Sequence, residues 1–420
     1  MYNKSVLNNG LRIITSDMPS TRSICIAVFA GVGSRYETDD DAGVSHFIEH
    51  MCFKGTQRRP TSKEIAETIE GVGGMLNGGT GKEFTVYWSK VARPHFSLAL
   101  DLLVDMLRCS KFDAEDMERE RLVILEELKE SMDSPSDRVS LLATELLWPG
   151  QQLGGDIIGS RESICSMDLL KIRKNMNSFY GPNNTVVAIA GDLDHDDIQS
   201  QVAEAFGDWP AVAPGPFFPA DDRQDAPRLR VEWRDTEQVH ICLGVKGMAI
   251  DDPDRYSLDL LNVVLGGGMS SRLNLELREK RGLVYDVDSY VDYYFDSGSL
   301  TVYAGADPKN TEDTIAAIVD EIARMKDEVP AEEFTKVKEL VKGRLLLGME
   351  DTRSVASWAG RQEILTGEVR TVDDVVAIVD GIESRDLQRV AERVLVEDRI
   401  SLAIVGPISD EGRLLDLLKL

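Results

Sequence analysis

The sequence predicts an α+β protein of two homologous domains, each a mostly antiparallel sheet with helices packed on one side. One observation is a repeat of similar positions at nearly equal offsets: Gly31 and Gly247 (216), Met132 and Met349 (217), Gly191 and Gly406 (215). The other is residues 208–230, which hold five of the fifteen prolines and no periodic segment, as is typical of a linker. We therefore expect domains over residues 1–210 and 231–420, joined by a linker over 211–230.

The first copy of the repeat begins with strands and continues into helices. Apolar, β-branched runs predict strands at 11–15, 24–30 and 185–190, and alternating residues predict one at 83–91. A capping box formed by Thr61 and Glu64 starts a helix that ends before Gly73. Further helices are predicted at about 95–107 and 113–131, with more helix up to about residue 180. This order of elements begins again after the linker.

Composition excludes several classes of function. Lys and Arg number 47 against 73 Asp and Glu, a net charge of −26, so the chain lacks the basic surface that nucleic acid requires. An acidic binding surface would instead favour basic peptides. The five cysteines form no C-x-x-C pair and predict buried, free thiols in a reducing compartment. The N-terminus lacks the apolar core of a signal peptide, and no apolar run approaches about 18 residues. We expect a cytoplasmic protein without a membrane partner.

The sequence contains one metal-binding motif, His46-x-x-Glu49-His50. On a helix the two histidines share a face, so both imidazoles can bind one metal ion, and Glu49 lies close enough to reach a water on that metal. The alternative is a helix whose histidines have no ligand role, but only five histidines occur in the chain, so chance spacing is uncommon. The equivalent positions of the second copy hold no ligand: Asn262, Leu265 and Gly266.

A catalytic zinc site usually has three protein ligands, and a carboxylate from another helix commonly supplies the third. Glu120 and Glu127 lie seven residues apart in a predicted acidic helix and therefore share a face within about 20°. By itself such a helix is more often a solvated surface. The two histidines upstream favour the ligand interpretation.

With these motifs the chain resembles the pitrilysin family of zinc peptidases, and most closely its branch similar to the mitochondrial processing peptidase. That family pairs H-x-x-E-H with E-x6-E about 76 residues later, and 76 residues lie between His50 and Glu127. The resemblance implies one zinc ion per chain, Glu49 as general base, and Glu120 as a carboxylate that assists catalysis without binding zinc. It implies three zinc ligands: His46, His50 and Glu127. The same spacing disfavours Glu126, the competing third ligand. Flanking residues also match the family: Gly31, Ser34, Arg35, Glu37, Gly43, Met51, Phe53, Lys54, Gly55 and Thr56.

The resemblance also implies a strand that binds substrate. Asn77 and Gly78 match the family's edge strand, which binds the peptide backbone by β-augmentation. Relatives usually carry Ala or Ser after the asparagine and then a bulkier residue, whereas Gly78 and Gly79 follow here. A plain flexible turn is the alternative interpretation.

A second family signature lies in the second copy. An arginine and a tyrosine seven residues apart contact substrate and help to stabilise the oxyanion, and Arg278 and Tyr285 have that spacing. Alternatively, Arg278 makes ion pairs on a helix surface. Asn274 stands where relatives often have phenylalanine, and His240 is expected to be a strand residue rather than a ligand.

The implied function is a zinc metalloendopeptidase that hydrolyses peptides or unfolded segments in an enclosed chamber of four domains. One chain supplies two of the four, so we expect a homodimer in which the partner's Arg278 and the partner's Tyr285 complete each site. Two alternatives remain: the active subunit of a heterodimer, and a non-catalytic scaffold subunit.

Overall fold

The computed structural model describes residues 2–409 and 412–419. Its strands are β1 (Tyr2–Val6), β2 (Arg12–Asp17), β3 (Ser23–Ala30), β4 (Met75–Thr80), β5 (Thr85–Ala92), β6 (Thr185–Gly191), β7 (Arg228–Trp233), β8 (Val239–Lys246), β9 (Val284–Tyr293), β10 (Gly298–Ala306) and β11 (Ser401–Gly406). Its α-helices are α1 (Val44–Cys52), α2 (Ser62–Glu70), α3 (Phe96–Cys109), α4 (Ala114–Asp133), α5 (Pro135–Leu147), α6 (Arg161–Ser166), α7 (Leu169–Phe179), α8 (His195–Phe206), α9 (Arg255–Leu265), α10 (Thr311–Arg324), α11 (Ala331–Gly348), α12 (Thr352–Thr366), α13 (Val372–Gly381) and α14 (Ser384–Val394).

The first compact unit contains the residues up to Leu128, Asp156–Phe218 and Leu346–Val372. Its sheet has six strands in the order β1-β2-β6-β3-β5-β4. Only β2 and β6 pair in parallel, and the other neighbours are antiparallel. Strand β4, which carries Asn77 and Gly78, therefore lies at one edge of the sheet.

The second unit contains Lys129–Gly155, Pro219–Leu345 and the chain from Asp373 onward. Its five strands have the order β7-β11-β8-β10-β9, with β7 and β11 as the parallel pair. This is the order of the last five strands of the first sheet, so the predicted α+β fold with two homologous domains is confirmed.

The two units do not coincide with the two halves of the sequence. One helix from the first half belongs to the second unit, and one helix from the second half belongs to the first unit. Helix α5 belongs to the second unit, where it packs on β8 and β11. Helix α12 belongs to the first unit, where it packs on β3 and β6. Each exchanged helix covers a sheet face that the remaining helices do not cover. Helices therefore pack on both faces of each sheet, and the domain boundaries are not the simple cut at 211–230.

The core of the first unit explains why this helix is needed. Strand β3 is buried from Ile24 to Ala30, which requires cover on both faces because successive side chains point in opposite directions. Cys25, Ala27 and Phe29 form one face and pack with Ala356 and other small residues of α12.

Residues 208–227 contain neither helix nor strand, and all of them are described. The end of this segment within the first unit is nevertheless fixed. The buried Arg35 guanidinium donates to the Phe218 carbonyl at 3.0 Å, faces the Phe217 ring at 4.5 Å and pairs with Glu83 at 2.5 Å. Among the described residues, no helix combines the length and the apolar character that crossing a bilayer requires.

Candidate metal centre

Helix α1 carries the motif and begins at a tightly constrained turn. Gly43 has φ of +88°, and a Cβ there would lie 2.2 Å from the Ile158 carbonyl oxygen, so glycine is required. The buried Glu37 carboxylate accepts hydrogen bonds from the backbone N–H groups of Gly43 (2.7 Å) and Ser45 (2.8 Å). Glu37 therefore acts as a remote cap. It satisfies N-terminal N–H donors of the helix and places an acidic group at the positive end of the helix dipole.

The apolar face of α1 is buried, which turns the motif side chains to the other face. Phe47, Ile48 and Met51 are at most 1% exposed, whereas the side chains of His46 and His50 are 15% and 17% exposed. The helical spacing of four residues brings the imidazoles together, with ring centroids 4.6 Å apart.

Helix α4 brings Glu127 to the two histidines. Its Oε2 lies 3.4 Å from His50 Nε2 and 3.9 Å from His46 Nε2, and one ligand atom of each residue lies within 4.8 Å of the others. Tetrahedral zinc with bonds of about 2.0–2.2 Å separates its ligand atoms by about 3.3–3.6 Å. These residues therefore fit zinc after a small adjustment. Glu126, the competing ligand, is exposed and is not part of this group.

Glu120 holds the second histidine in orientation. Its Oε2 accepts from His50 Nδ1 at 3.0 Å, and its Oε1 accepts from Lys54 Nζ at 2.6 Å. A carboxylate on the far nitrogen fixes the tautomer that leaves Nε2 free to bind metal. Burial alone would raise the pKa of Glu120, but these two hydrogen bonds hold it below its usual value.

The two histidines differ in their acid–base environment. Burial lowers the pKa of His46 to about 4, with a further contribution from His50. Burial would also lower the pKa of His50, but the hydrogen bond to Glu120 and the charge of Glu127 raise it above its usual value. The buried Nδ1 of His46 has no hydrogen-bond partner among the described residues.

Glu49 points toward the edge strand. Its Oε2 accepts a hydrogen bond of 2.6 Å from Thr80 Oγ1 on β4. Burial raises the pKa of Glu49, and the nearby Glu127 charge raises it further, while Thr80 and His50 oppose the shift. Such a carboxylate is suited to accept a proton and to return it.

The edge strand β4 lies directly against the Glu49 side chain. A Cβ at Gly78 would be 3.1 Å from Glu49 Cγ and 3.1 Å from Phe53, so a larger residue would press on both. Asn77 and Gly78 pair with Trp88 and Tyr87 of β5, and Asn77 Oδ1 accepts from the Gly78 N–H at 2.8 Å. Strand β4 is therefore a regular part of the sheet rather than a plain flexible turn.

The second signature lies in the second unit. Arg278 belongs to a π-helical segment, Asn274–Lys280, and Tyr285 follows on β9 with 76% of its surface exposed. The Arg278 guanidinium carbon lies 6.0 Å from the centre of the Tyr285 ring. Asn274 is 6% exposed, so this departure from the family pattern lies inside the unit. His240 lies in β8, where Nδ1 and the Tyr303 hydroxyl are 2.9 Å apart.

Two residues contribute to the site in ways that the sequence pattern does not indicate. Glu37 is among the residues that match the family, but no local pattern in the sequence indicates that it caps α1 from six residues before Gly43. Thr80 could have been found, because a period of two places it on the face of β4 that Gly78 presents to Glu49.

Comparisons with known proteins agree with this architecture. Residues 12–161 match the family described as insulinase (peptidase family M16), and residues 166–341 match the peptidase M16 inactive domain. An uncharacterized zinc protease of Bacillus subtilis is 36% identical over 97% of this chain and 98% of its own length. The chain belongs to peptidase family M16. A second relative, an uncharacterized zinc protease of Streptomyces coelicolor, is 37% identical over 97% of this chain and 90% of its own length.

Solved structures support the M16 fold. A protease from Helicobacter pylori has a TM-score of 0.92 at 23% identity and covers 97% of this chain and 100% of its own. A Pseudomonas fluorescens protein described as a peptidase M16 inactive domain has a TM-score of 0.88 at 20% identity, with 98% and 99% covered. At these identities the likeness concerns the fold alone.

Proposed function

We propose that this M16 chain is a zinc-dependent endopeptidase of the branch similar to the mitochondrial processing peptidase. The observation that carries the proposal is the group formed by His46, His50 and Glu127, whose ligand atoms lie within 4.8 Å of one another beside the Glu49 carboxylate. When bound there, zinc supplies a water whose pKa is lowered to about 7 and a charge that polarises the peptide carbonyl.

The chain's own residues divide the remaining work. Glu49 takes the proton from the attacking water and delivers it to the leaving amine. Its raised pKa, caused by burial, favours this return of the proton. Thr80 orients the carboxylate through its 2.6 Å hydrogen bond. Glu120 keeps His50 in the tautomer that presents Nε2.

Substrate binding is proposed at strand β4. An extended peptide would add to this edge by β-augmentation, which places its backbone beside Glu49 because Gly78 packs against that side chain. The absence of a side chain at Gly78 and Gly79 lets the two backbones approach closely. Basic peptides are the favoured substrates in view of the net charge of −26.

Arg278 and Tyr285 are proposed to contact substrate and to stabilise the oxyanion as cationic and phenolic donors. We propose a homodimer in which the partner's Arg278 and the partner's Tyr285 serve the zinc group of each chain. All five cysteines are free, but Cys109 and Cys165 are exposed rather than buried as the sequence predicts. Free thiols suit the reducing cytoplasm where we expect the enzyme to act.

The test is cleavage of a pool of quenched-fluorescent peptides by the zinc-loaded protein. We expect Glu49→Gln to lower the rate at least about 10²–10⁴-fold with zinc retained, because only the base is lost. Glu127→Gln should lose zinc, whereas the matched control Glu126→Gln should keep both zinc and activity. Loss of zinc in Glu49→Gln would contradict the role of Glu49. No cleavage by zinc-loaded wild type would favour a heterodimer subunit or a scaffold.

A further inference from the structure

The first unit has a cavity of about 450 Å³ whose lining residues include none of the proposed metal ligands. Its walls are the loop after α1, the loop between α3 and α4, and helix α7. The two loops are tied together by backbone hydrogen bonds, from the Gln57 N–H to the Cys109 carbonyl (3.2 Å) and from the Lys111 N–H to the Gly55 carbonyl (3.0 Å). Backbone hydrogen bonds therefore hold two walls of the cavity in place.

The lining of this cavity has the opposite charge to the chain as a whole. Arg108, Lys111 and Arg173 line it and none of its lining residues is acidic, although acidic residues outnumber basic ones by 73 to 47. Arg108 is neutralised by Asp208 at 2.8 Å. Lys111 donates to the Pro60 carbonyl at 3.0 Å, and neither Lys111 nor Arg173 has a carboxylate partner within residues 2–409 and 412–419.

The other lining residues include two with neutral hydrogen-bond donors and a buried tryptophan. Gln57 and Asn177, whose side chains carry amide donors, are among the lining residues, and so is Trp209, which is 8% exposed. Phe112, also in the lining, has φ of +47°, a conformation that costs energy for a residue other than glycine and tends to occur at functional sites. The volume lies within the range of small-molecule sites, about 300–1,000 Å³.

We infer that this cavity binds a small phosphorylated molecule. Lys111 and Arg173 offer two uncompensated positive charges, which match the charge of about −1.5 to −2 on a phosphate monoester at pH 7. A guanidinium binds two phosphate oxygens at once, while an ammonium provides a compact charge, and the two amides complete the donor set. The loop that carries Lys111 and Phe112 leads directly into α4, the helix that contains Glu127. The bound ligand would therefore contact the residues just before this helix.

The inference does not depend on peptidase activity and is tested by binding alone. Inorganic phosphate and glycerol phosphate are titrated calorimetrically into the zinc-loaded protein at constant ionic strength, with chloride as the reference anion. We expect one saturable site. Tighter binding of inorganic phosphate would indicate that the site takes a free anion, and tighter binding of glycerol phosphate would indicate that it takes a phosphate ester.

The decisive comparison is between neighbouring residues of α7. Arg173→Gln removes a lining charge, whereas Lys174→Gln removes the charge of an exposed neighbour that does not line the cavity. We expect affinity to fall about tenfold or more in Arg173→Gln and to stay unchanged in Lys174→Gln. Lys111→Gln provides a second, independent loss. The inference is overturned if wild type shows no saturable binding, or if Arg173→Gln binds as wild type does, which would place the anion elsewhere, including at zinc.

Discussion

At the scale of single residues, the two histidines of the proposed zinc site differ in the protonation state from which they would bind metal. His46 is buried and its pKa is lowered to about 4, so it is neutral across the physiological range. His50 has a raised pKa because Glu120 and Glu127 outweigh the effect of burial. A proton on His50 must therefore leave before Nε2 can bind metal, whereas His46 needs no such step.

We predict that zinc binding at pH 6 releases about one proton, and that this proton comes from His50. Zinc affinity then falls as the pH drops below the raised pKa of His50, and falls more steeply near pH 4, where His46 also takes up a proton. The measurement is calorimetry in two buffers of different ionisation enthalpy, in the Glu49→Gln background so that Glu49 does not contribute. Glu120→Gln should reduce the release, because it removes the hydrogen bond that raises the pKa of His50. Release of two protons by the parent protein would contradict this assignment.

Thr80 is expected to act on the rate through Glu49. Thr80→Val keeps the shape of the side chain but removes the 2.6 Å hydrogen bond to the carboxylate. That bond lowers the pKa of Glu49, so its loss raises the pKa, and the acid limb of the kcat/KM profile moves to higher pH. We also expect kcat to fall about tenfold, as for the loss of one hydrogen bond to a charged group. Thr80→Ser should restore both properties, and an unchanged pH profile in Thr80→Val would exclude this role.

At the scale of elements, the exchanged helix α12 packs so closely on the first sheet that it needs a glycine at the contact. A Cβ at Gly360 would lie 2.1 Å from Cε2 of Phe29 and 3.0 Å from Cβ of Ala188. Both neighbours are buried in β3 and β6 and cannot move aside freely. The backbone of α12 therefore approaches the strands more closely than a helix with side chains could.

We predict that Gly360→Ala destabilises the protein by about 1–3 kcal/mol, the usual cost of overpacking a core. In an ordinary helix interior the same change stabilises by up to about 1 kcal/mol. Gly343 in α11 provides the matched control, because nothing lies within 4 Å of a Cβ built there. Urea unfolding of both variants measures the two free energies. Equal effects at the two positions would show that α12 does not depend on this close contact.

Sequence patterns predict the helices and strands themselves better than they predict which sheet each helix packs on. The capping box of α2 is present as expected, with the Glu64 N–H bonded to Thr61 Oγ1 at 3.2 Å. The buried runs of β3 and β6 were equally clear, because β-branched and apolar residues continue without interruption. The exchange of α5 and α12 was not predictable, because periodicity shows that a helix has an apolar face but not which sheet that face covers.

The same limit applies to the candidate site. The spacing of His46 and His50 and the position of Glu127 indicated a group that the structure places within 4.8 Å. His46 and His50 lie on one regular helix, where spacing translates directly into direction. The choice of Glu127 rests on the family resemblance instead, because no helical pattern connects α4 with α1. The cap from Glu37 starts from a short irregular segment, and the bond from Thr80 crosses from a strand to a helix. Such contacts depend on tertiary packing, which no local pattern contains.

At the scale of the whole molecule, the two units carry different parts of the proposed chemistry. The first unit holds the proposed zinc ligands and the proposed base Glu49, and the second holds Arg278 and Tyr285. The proposed metal ligands therefore occur in one copy of the repeat, whereas the other copy has Asn262, Leu265 and Gly266 at the positions equivalent to the His-x-x-Glu-His motif. If the second unit of one chain serves the proposed zinc site of another chain, a chain with a defective zinc site and a chain with a defective second unit should restore activity when they are combined.

We therefore predict complementation between two inactive variants, Glu49→Gln and Arg278→Ala. In a mixed dimer, one site combines the intact zinc group of the Arg278→Ala chain with the partner's Arg278, while the other site carries both defects. Co-expression with two affinity tags isolates the mixed dimer, and peptide cleavage should reach about half of the wild-type rate. Each variant purified alone is the control and should remain near its own low rate. A mixed dimer that stays inactive would show that Arg278 acts within its own chain.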